Sequence, residues 1–188
     1  YFGILNYFFN QKIIIYLHKI KFFILMKNTC RIVSFVCDKG GVGKSTLNIL
    51  FANHLAYEKD KKVLLVDADT RHSIKNVREK DINEWGCDPK LMYPIKVISP
   101  VELKKKITLY QQEFEYIIID LPGSLLEPGV LTTYTYIDNI IIPVNLSLTL
   151  EGGMLEFYNI IKNEVSNLRT KNKYNPPTLH GIVNNVDV

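Results

Sequence analysis

The sequence predicts a three-layer α/β protein, in which a mostly parallel central sheet is flanked by helices. Six short apolar runs alternate along the chain with polar or helix-patterned segments. Most of these runs are continuously apolar, as expected for strands that are buried on both faces of a parallel sheet. The length of 188 residues suits one domain, and 47% hydrophobic with 22% charged residues is ordinary for a globular core.

The strand predictions rest on apolar, β-branched runs that lead into polar residues. The first run (30–37) leads into a glycine-rich turn, and the second (61–69) ends in two acids. The other predicted strands are residues 95–99, 114–120, 139–144 and 179–185. In an open α/β sheet, the edge formed by the carboxyl ends of the strands is where ligands bind. The polar residues at that edge are therefore the first candidates for a functional site.

Helices are predicted between the strands, mainly from apolar residues at helical spacing. Residues 44–58 place their leucines and Phe51 on one face, residues 101–113 form a lysine-bearing helix, and residues 70–90 are polar and helical in part. One more helix follows the fifth strand, with an apolar face of Met154, Phe157, Tyr158, Ile161, Val165 and Leu168. This alternation of strands and helices indicates a parallel sheet covered on both faces.

The two ends of the chain differ from its middle. We interpret residues 1–25 as a non-native upstream extension or an apolar tail, because Met26 is a natural initiator and Lys12 interrupts the run that a membrane helix needs. The folded domain is therefore expected over residues 26–188. No helix follows the last predicted strand, so we expect this domain to be truncated at its carboxyl end.

Charge and cysteine content exclude several classes of protein. The net charge is +4, but residues 1–25 carry three lysines and no acid, which leaves +1 for the rest. That balance does not suit a strongly basic, nucleic-acid-coating domain. The three cysteines lack CxxC spacing, which disfavours a zinc ribbon, an iron–sulfur cluster and a disulfide framework. Such usage fits a reducing, cytoplasmic compartment.

A glycine-rich octet, KGGVGKST at residues 39–46, lies between the first predicted strand and the first predicted helix. Glycines allow backbone N–H groups to surround a polyphosphate, and the helix N-terminus adds a favourable dipole. Lys44 is placed to neutralise phosphate oxygens, and the Ser45 hydroxyl to ligate Mg²⁺. Cys37-Asp38-Lys39 stands where the strict Walker A pattern has its first glycine.

Three acids follow apolar strands. Asp120 ends the fourth predicted strand, where its carboxylate would hold Mg²⁺ through water; the alternative is a solvated acid at a strand end. Asp67 and Asp69 lie two residues apart, so on a strand they share a face. For one of these two, the alternative is a helix cap.

The octet resembles the deviant Walker A motif of the ParA/MinD family of ATPases. Four more blocks resemble segments of that family in the same order: VLLVDADT at 63–70, YIIIDLPGSL at 116–125, DNIIIPVNLS at 138–147 and GIVNNVD at 181–187. The resemblance implies the three-layer P-loop NTPase fold. One departure is visible, since family members usually continue with Pro-Gln after the second acid, and Thr70-Arg71 stands here.

The resemblance also implies roles for individual residues. Lys39 matches the signature lysine that reaches the partner's phosphates across a dimer, Lys44 is the phosphate lysine, and Asp69 orients the attacking water. Mg²⁺ is assigned to Ser45 and Asp120, with Asp67 in support. The nucleotide contacts are assigned to Gly40, Gly41, Val42, Gly43, Lys44, Ser45, Thr46 and, at the adenine, Asn184. The neighbouring Asn185 stays open as the adenine residue, because a slip of one position exchanges the two.

The implied activity is hydrolysis of ATP by an ATP-dependent homodimer that acts in plasmid or chromosome partitioning. Its implied partners are a ParB-like centromere-binding protein and non-specific DNA, in a cytoplasmic, nucleoid-associated location. Residues 104–106 are three lysines that either touch DNA phosphates or form a solvated helix face. The alternatives are a MinD-like positioning ATPase that binds membrane, a metabolic ATP-dependent ligase on the same fold, and an adaptor that binds ATP without hydrolysing it.

Overall fold

Six parallel strands form the centre of the molecule. The structure, a computed structural model, describes residues 30–38, 41–144, 153–171 and 175–183. The strands are β1 (Arg31–Phe35), β2 (Val63–Asp67), β3 (Ile95–Val97), β4 (Tyr116–Asp120), β5 (Asn139–Val144) and β6 (Thr178–Val183). They form one sheet in the order β3-β2-β4-β1-β5-β6, and every pair is parallel. The prediction of six strands in a parallel sheet is confirmed, with most strands shorter by one to four residues.

Helices connect the strands. They are α1 (Lys44–Asn53), α2 (Ser73–Trp85), α3 (Pro100–Glu113), α4 (Val130–Tyr134), α5 (Gly153–Ile160) and α6 (Ser166–Lys171). A π-helical turn (His54–Glu58) extends α1, another (Ile161–Val165) joins α5 to α6, and a 3-10 turn (Pro89–Leu91) follows α2. The predicted helices are present, and α4 is an addition that the sequence pattern did not indicate. No helix in the described residues is long and apolar enough to cross a membrane.

The sheet has a hydrophobic core on each face. Successive residues of β4 point to opposite faces, so that Ile117 and Ile119 pack with α3, α4 and α5, whereas Ile118 packs with α1. All three isoleucines are fully buried. This burial on both faces explains why the strands are continuously apolar in sequence.

The strand register brings acids together at one edge. In the pairing of β2 with β4, Asp67 lies directly opposite Asp120, the last residue of β4. The strand on the other side of β4 is β1, whose carboxyl end leads into the glycine-rich loop and then α1. The loop, the start of α1 and both acids therefore meet at the carboxyl edge of the sheet.

Candidate functional site

Two glycines shape the described part of the loop before α1. Gly41 and Gly43 have φ angles of +76° and +87°, in the left-handed region that favours glycine. Gly43 is the N-cap of α1, and its carbonyl accepts the first bond of the helix, from Leu47 N at 2.8 Å. Lys44, the next residue, is buried at only 6% exposure. The first turn of α1, which contains Lys44, therefore presents backbone N–H groups at the position where a phosphate would lie.

The Ser45 hydroxyl reaches the acid at the end of β4. Its Oγ donates to Asp120 Oδ2 at 2.7 Å, so that the phosphate loop and β4 are joined by a direct hydrogen bond. A hydroxyl that donates its proton to a carboxylate keeps its lone pairs for a cation. The structure thus places together the serine and the aspartate that the sequence assigned to Mg²⁺.

Asn48 is a site residue that the sequence reasoning missed. It lies one turn after Ser45 and is fully buried. Its Nδ2 donates to Asp120 Oδ1 at 2.8 Å, and its Oδ1 accepts from the Phe35 backbone N–H at 3.2 Å. An asparagine in a helix has many possible roles, so only its spacing of three from Ser45, on the same helix face, could have signalled this one.

Burial dominates the electrostatics of Asp120. It raises the pKa of this carboxyl to about 6, against the lowering effect of the bonds from Ser45 and Asn48. The charges of Asp67 and Asp69 raise the pKa further. Asp67, Asp69 and Asp120 repel one another electrostatically at this edge of the sheet. A bound cation would offset that repulsion.

Asp67 has features of both roles considered above, a helix cap and an acid that supports a metal ion. Its Oδ2 accepts from the Lys75 backbone N–H at 2.9 Å, in the first turn of α2, as a helix-capping acid would. Its Oδ1 is buried and has no hydrogen-bond partner among the described residues. Burial raises the pKa of this carboxyl, and the bond from Lys75 opposes that rise. One oxygen therefore accepts from the first turn of α2, and the other is buried without a hydrogen-bond partner among the described residues.

These donors fit Mg²⁺. A hydroxyl and two carboxylates, one with an unpartnered oxygen, are the hard oxygen ligands that this ion prefers. Within the described residues, no cluster of three or more His, Cys, Asp or Glu side chains could hold a metal by itself. A site of the P-loop type differs from such a cluster, because a hydroxyl, an acid and nucleotide phosphates share the ion.

Asp69 is occupied by a neighbour. Arg71 contacts its carboxylate through Nη2 at 2.7 Å, through Nε at 3.1 and 3.3 Å, and through its backbone N–H at 2.9 Å. These bonds from Arg71 lower the pKa of Asp69, and the charge of Lys44 lowers it further. The sequence identified Arg71 as a departure from the family pattern but not as a partner of Asp69.

The segment after β4 lies against the start of the phosphate loop. A Cβ added to Gly123 would lie 3.2 Å from the carbonyl oxygen of Asp38 and 3.3 Å from that of Cys37. Such a contact is tighter than most side chains allow, so this position favours glycine. The contact joins the segment that follows Asp120 to the backbone that enters the glycine loop.

Lys44, Ser45 and the three acids thus come together at one edge of the sheet. Val42 is buried beside them, and Thr46 is exposed on the first turn of α1. The predictions for residues 1–25 and for Lys39, Gly40, Asn184 and Asn185 lie outside the described residues. Their roles stay predictions.

Sequence comparison adds independent information. A family model described as an AAA domain matches residues 30–85, which hold the glycine loop and the first two acids. The sporulation initiation inhibitor protein Soj of Bacillus subtilis (strain 168) is 26% identical over a 178-position alignment that covers 74% of this chain and 68% of Soj. Both matches support the resemblance to the ParA/MinD family. The resemblance seen in its sequence blocks is confirmed.

Solved structures agree with the P-loop NTPase fold of the ParA/MinD family. A plasmid partition protein from Borrelia burgdorferi has a TM-score of 0.56 at 23% identity, covering 82% of this chain and 78% of that one. The cobyrinic acid a,c-diamide synthase of Mycobacterium smegmatis, solved with ADP and magnesium, has a TM-score of 0.62 at 20% identity, covering 82% and 74%. At this level of identity, the likeness shows the fold.

Proposed function

We propose that this chain binds ATP with Mg²⁺ at the carboxyl edge of its sheet and hydrolyses it to ADP and phosphate. The observation that carries the proposal is the bond from Ser45 to Asp120, formed next to Lys44 at the start of α1. A hydroxyl, a carboxylate and a buried lysine at a helix N-terminus complement a polyphosphate and its metal ion. The ADP and magnesium in the Mycobacterium smegmatis enzyme support the same type of ligand here.

In this proposal, catalysis consists of positioning and neutralisation of charge. Lys44 and the glycine loop hold the phosphates. The loop residues with this role are Gly40, Gly41, Val42, Gly43 and Thr46. Ser45, Asp120 and Asp67 hold Mg²⁺, which when bound offsets the charge that develops on the transferred phosphoryl group. Asp69 orients the attacking water, and Asn184 binds adenine. No covalent intermediate is needed.

The proposal extends to an ATP-dependent homodimer, in which Lys39 of each subunit neutralises the phosphates of its partner. The cellular role that we propose is plasmid or chromosome partitioning, with a ParB-like protein that stimulates turnover and with non-specific DNA bound by the dimer. The similarity to a plasmid partition protein and to Soj supports this role. The place of action would be the cytoplasm, on the nucleoid.

Phosphate release tests the activity. The full chain with ATP and Mg²⁺ should release phosphate, and Lys44→Ala should abolish release while the protein stays folded. Lys80→Ala is the matched control, because Lys80 pairs with Glu84 on the exposed face of α2, away from the loop. Undiminished release by a folded Lys44→Ala protein would contradict the assignment. Release that requires a small carboxylic acid would indicate a metabolic ligase instead.

Light scattering tests the dimer. Asp69→Ala should retain ATP, hydrolyse it slowly and accumulate as a dimer, whereas Lys39→Ala should bind nucleotide as a monomer. If Lys39→Ala dimerises and turns over like the parent, Lys39 is only a loop lysine. ATP-dependent binding to lipid vesicles rather than to DNA would point to a MinD-like role.

A further inference from the structure

Three N–H donors of Arg71 surround the carboxylate of Asp69, and burial shields it from water. An ionised carboxylate offers about four lone-pair sites. Its Oδ1 accepts from the backbone N–H and from Nε of Arg71, and its Oδ2 accepts from Nε and Nη2 of the same residue. Asp69 is also only 3% exposed, so water does not reach it from another side. In this arrangement Asp69 cannot orient an attacking water.

A closed turn holds the backbone around Arg71, whereas most of the Arg71 side chain is exposed to solvent. The His72 N–H donates to the Asp69 carbonyl at 2.9 Å, and His72 takes a left-handed φ of +51° that closes the turn. The Arg71 side chain, in contrast, is 61% exposed. Because the guanidinium is mostly exposed, rotation about the side-chain bonds of Arg71 can release Asp69 without refolding the turn.

Arg71 lies close to the proposed phosphate site. The N–H of Ala68, the residue before Asp69, donates to the Asp120 carbonyl at 2.9 Å, and the Asp120 carboxylate accepts from Ser45 at the start of α1. Asp120 and Glu127 act electrostatically on its guanidinium, and Lys44 acts on Asp69. A phosphate bound at Lys44 would therefore lie within electrostatic range of the guanidinium. Arginine binds phosphate oxygens through paired N–H bonds as well as it binds carboxylates, so a terminal phosphate is a direct competitor of Asp69.

We propose that Arg71 is a positioning residue that blocks Asp69 until a terminal phosphate draws its guanidinium away. This inference rests on the proposed hydrolysis, because it concerns when Asp69 becomes available to water. ATP supplies the competing phosphate, and ADP does not. Arg71 thereby couples the presence of the terminal phosphate to the release of the residue that acts on water.

Variants of Arg71 test the block through the rate of hydrolysis. Asp69 still competes for the guanidinium when ATP is bound, so part of the ATP-saturated protein stays blocked. Without any stimulating partner, Arg71→Ala should free that part and raise the turnover number roughly fivefold, the order of effect expected from loss of a single ion pair. Arg71→Lys keeps the charge but loses the paired N–H geometry. Its turnover number should therefore lie between those of the parent and Arg71→Ala. Lys80→Ala removes an equal charge from an exposed pair on α2 and should match the parent. An unchanged or lower turnover in Arg71→Ala would overturn the inference.

A nuclear magnetic resonance measurement separates this inference from the proposed function. In the full chain without nucleotide, Asp69→Asn should shift the Arg71 Nε–H signal, because it changes the carboxylate that Nε contacts. ATP with Mg²⁺ should also shift that signal, because the guanidinium exchanges the carboxylate for a phosphate, and ADP should not. An Arg71 signal that ATP leaves at its nucleotide-free position overturns the inference, whatever the rate of hydrolysis. A shift caused by bound ATP that is never hydrolysed supports the inference and overturns the proposed activity.

Discussion

Asn48 holds Asp120 in place through a 2.8 Å bond from its side-chain amide. The same amide accepts from the backbone of Phe35 in β1, so one buried side chain ties α1 to both central strands. Because Asn48 occupies Oδ1 of Asp120, the other oxygen faces Ser45. The orientation of the proposed metal ligand therefore depends on a residue that would touch neither metal nor nucleotide.

Replacing Asn48 should destabilise the fold and the site together. Asn48→Leu leaves the Phe35 N–H unsatisfied and removes a donor from Asp120, which should lower the free energy of unfolding by about 2–4 kcal/mol. Urea denaturation measures the change. Gln112→Leu, at an exposed position of α3, is the control for the loss of an amide. A loss below about 0.5 kcal/mol in Asn48→Leu would show that these bonds contribute little.

Asp120 should make stability depend on pH when metal and nucleotide are removed. Its pKa is raised from 3.8 to about 6 by burial, so its contribution to stability is complete below pH 3.8 and is lost as pH rises through 6. Asp120→Asn cannot titrate at this position. Relative to that variant, the parent should lose about 2 kcal/mol of unfolding free energy between pH 4 and pH 7. Denaturation in EDTA at several pH values measures the difference, and a difference that does not vary with pH would be evidence against the raised pKa.

Gly123 should be sensitive to the smallest substitution. Gly123→Ala places a Cβ 3.2 Å from the Asp38 carbonyl oxygen, so the entry to the phosphate loop must shift. We expect a loss of about 1 kcal/mol in stability and weaker binding of a fluorescent ATP analogue. Gly181→Ala is the control, because a Cβ there meets no atom within 4 Å and the backbone has no positive φ. Equal behaviour of the two variants would show that the loop tolerates the displacement.

The six strands could be predicted from sequence because each is an apolar run ending near polar residues. The helix α4 could not, because Val130–Tyr134 is too short to display a helical period. It forms where Gly129, with a φ of +82°, packs closely against the start of α3. That contact joins residues far apart in the chain, so no local pattern indicates it.

Site residues whose role follows from their position in a sequence motif could be predicted. Those whose role depends on tertiary contacts could not. Ser45 and Asp120 stand out because a glycine loop and a strand-terminal acid are visible as patterns. The contacts of Asn48 and the pairing of Arg71 with Asp69 arise from side-chain geometry, which a sequence does not display. The double role of Asp67 likewise depends on where α2 begins.

Calorimetric titration of ATP, with Mg²⁺ and with EDTA, decides most directly whether Ser45 and Asp120 form one magnesium–nucleotide site. The parent should bind at least about tenfold more tightly with Mg²⁺, equivalent to about 1.4 kcal/mol. Ser45→Ala and Asp120→Ala should each lose most of that gain, and the double variant should lose no more than either alone, because the two residues act on the same ion. Retention of the full Mg²⁺ dependence by Asp120→Ala, or losses that simply add, would contradict a shared site.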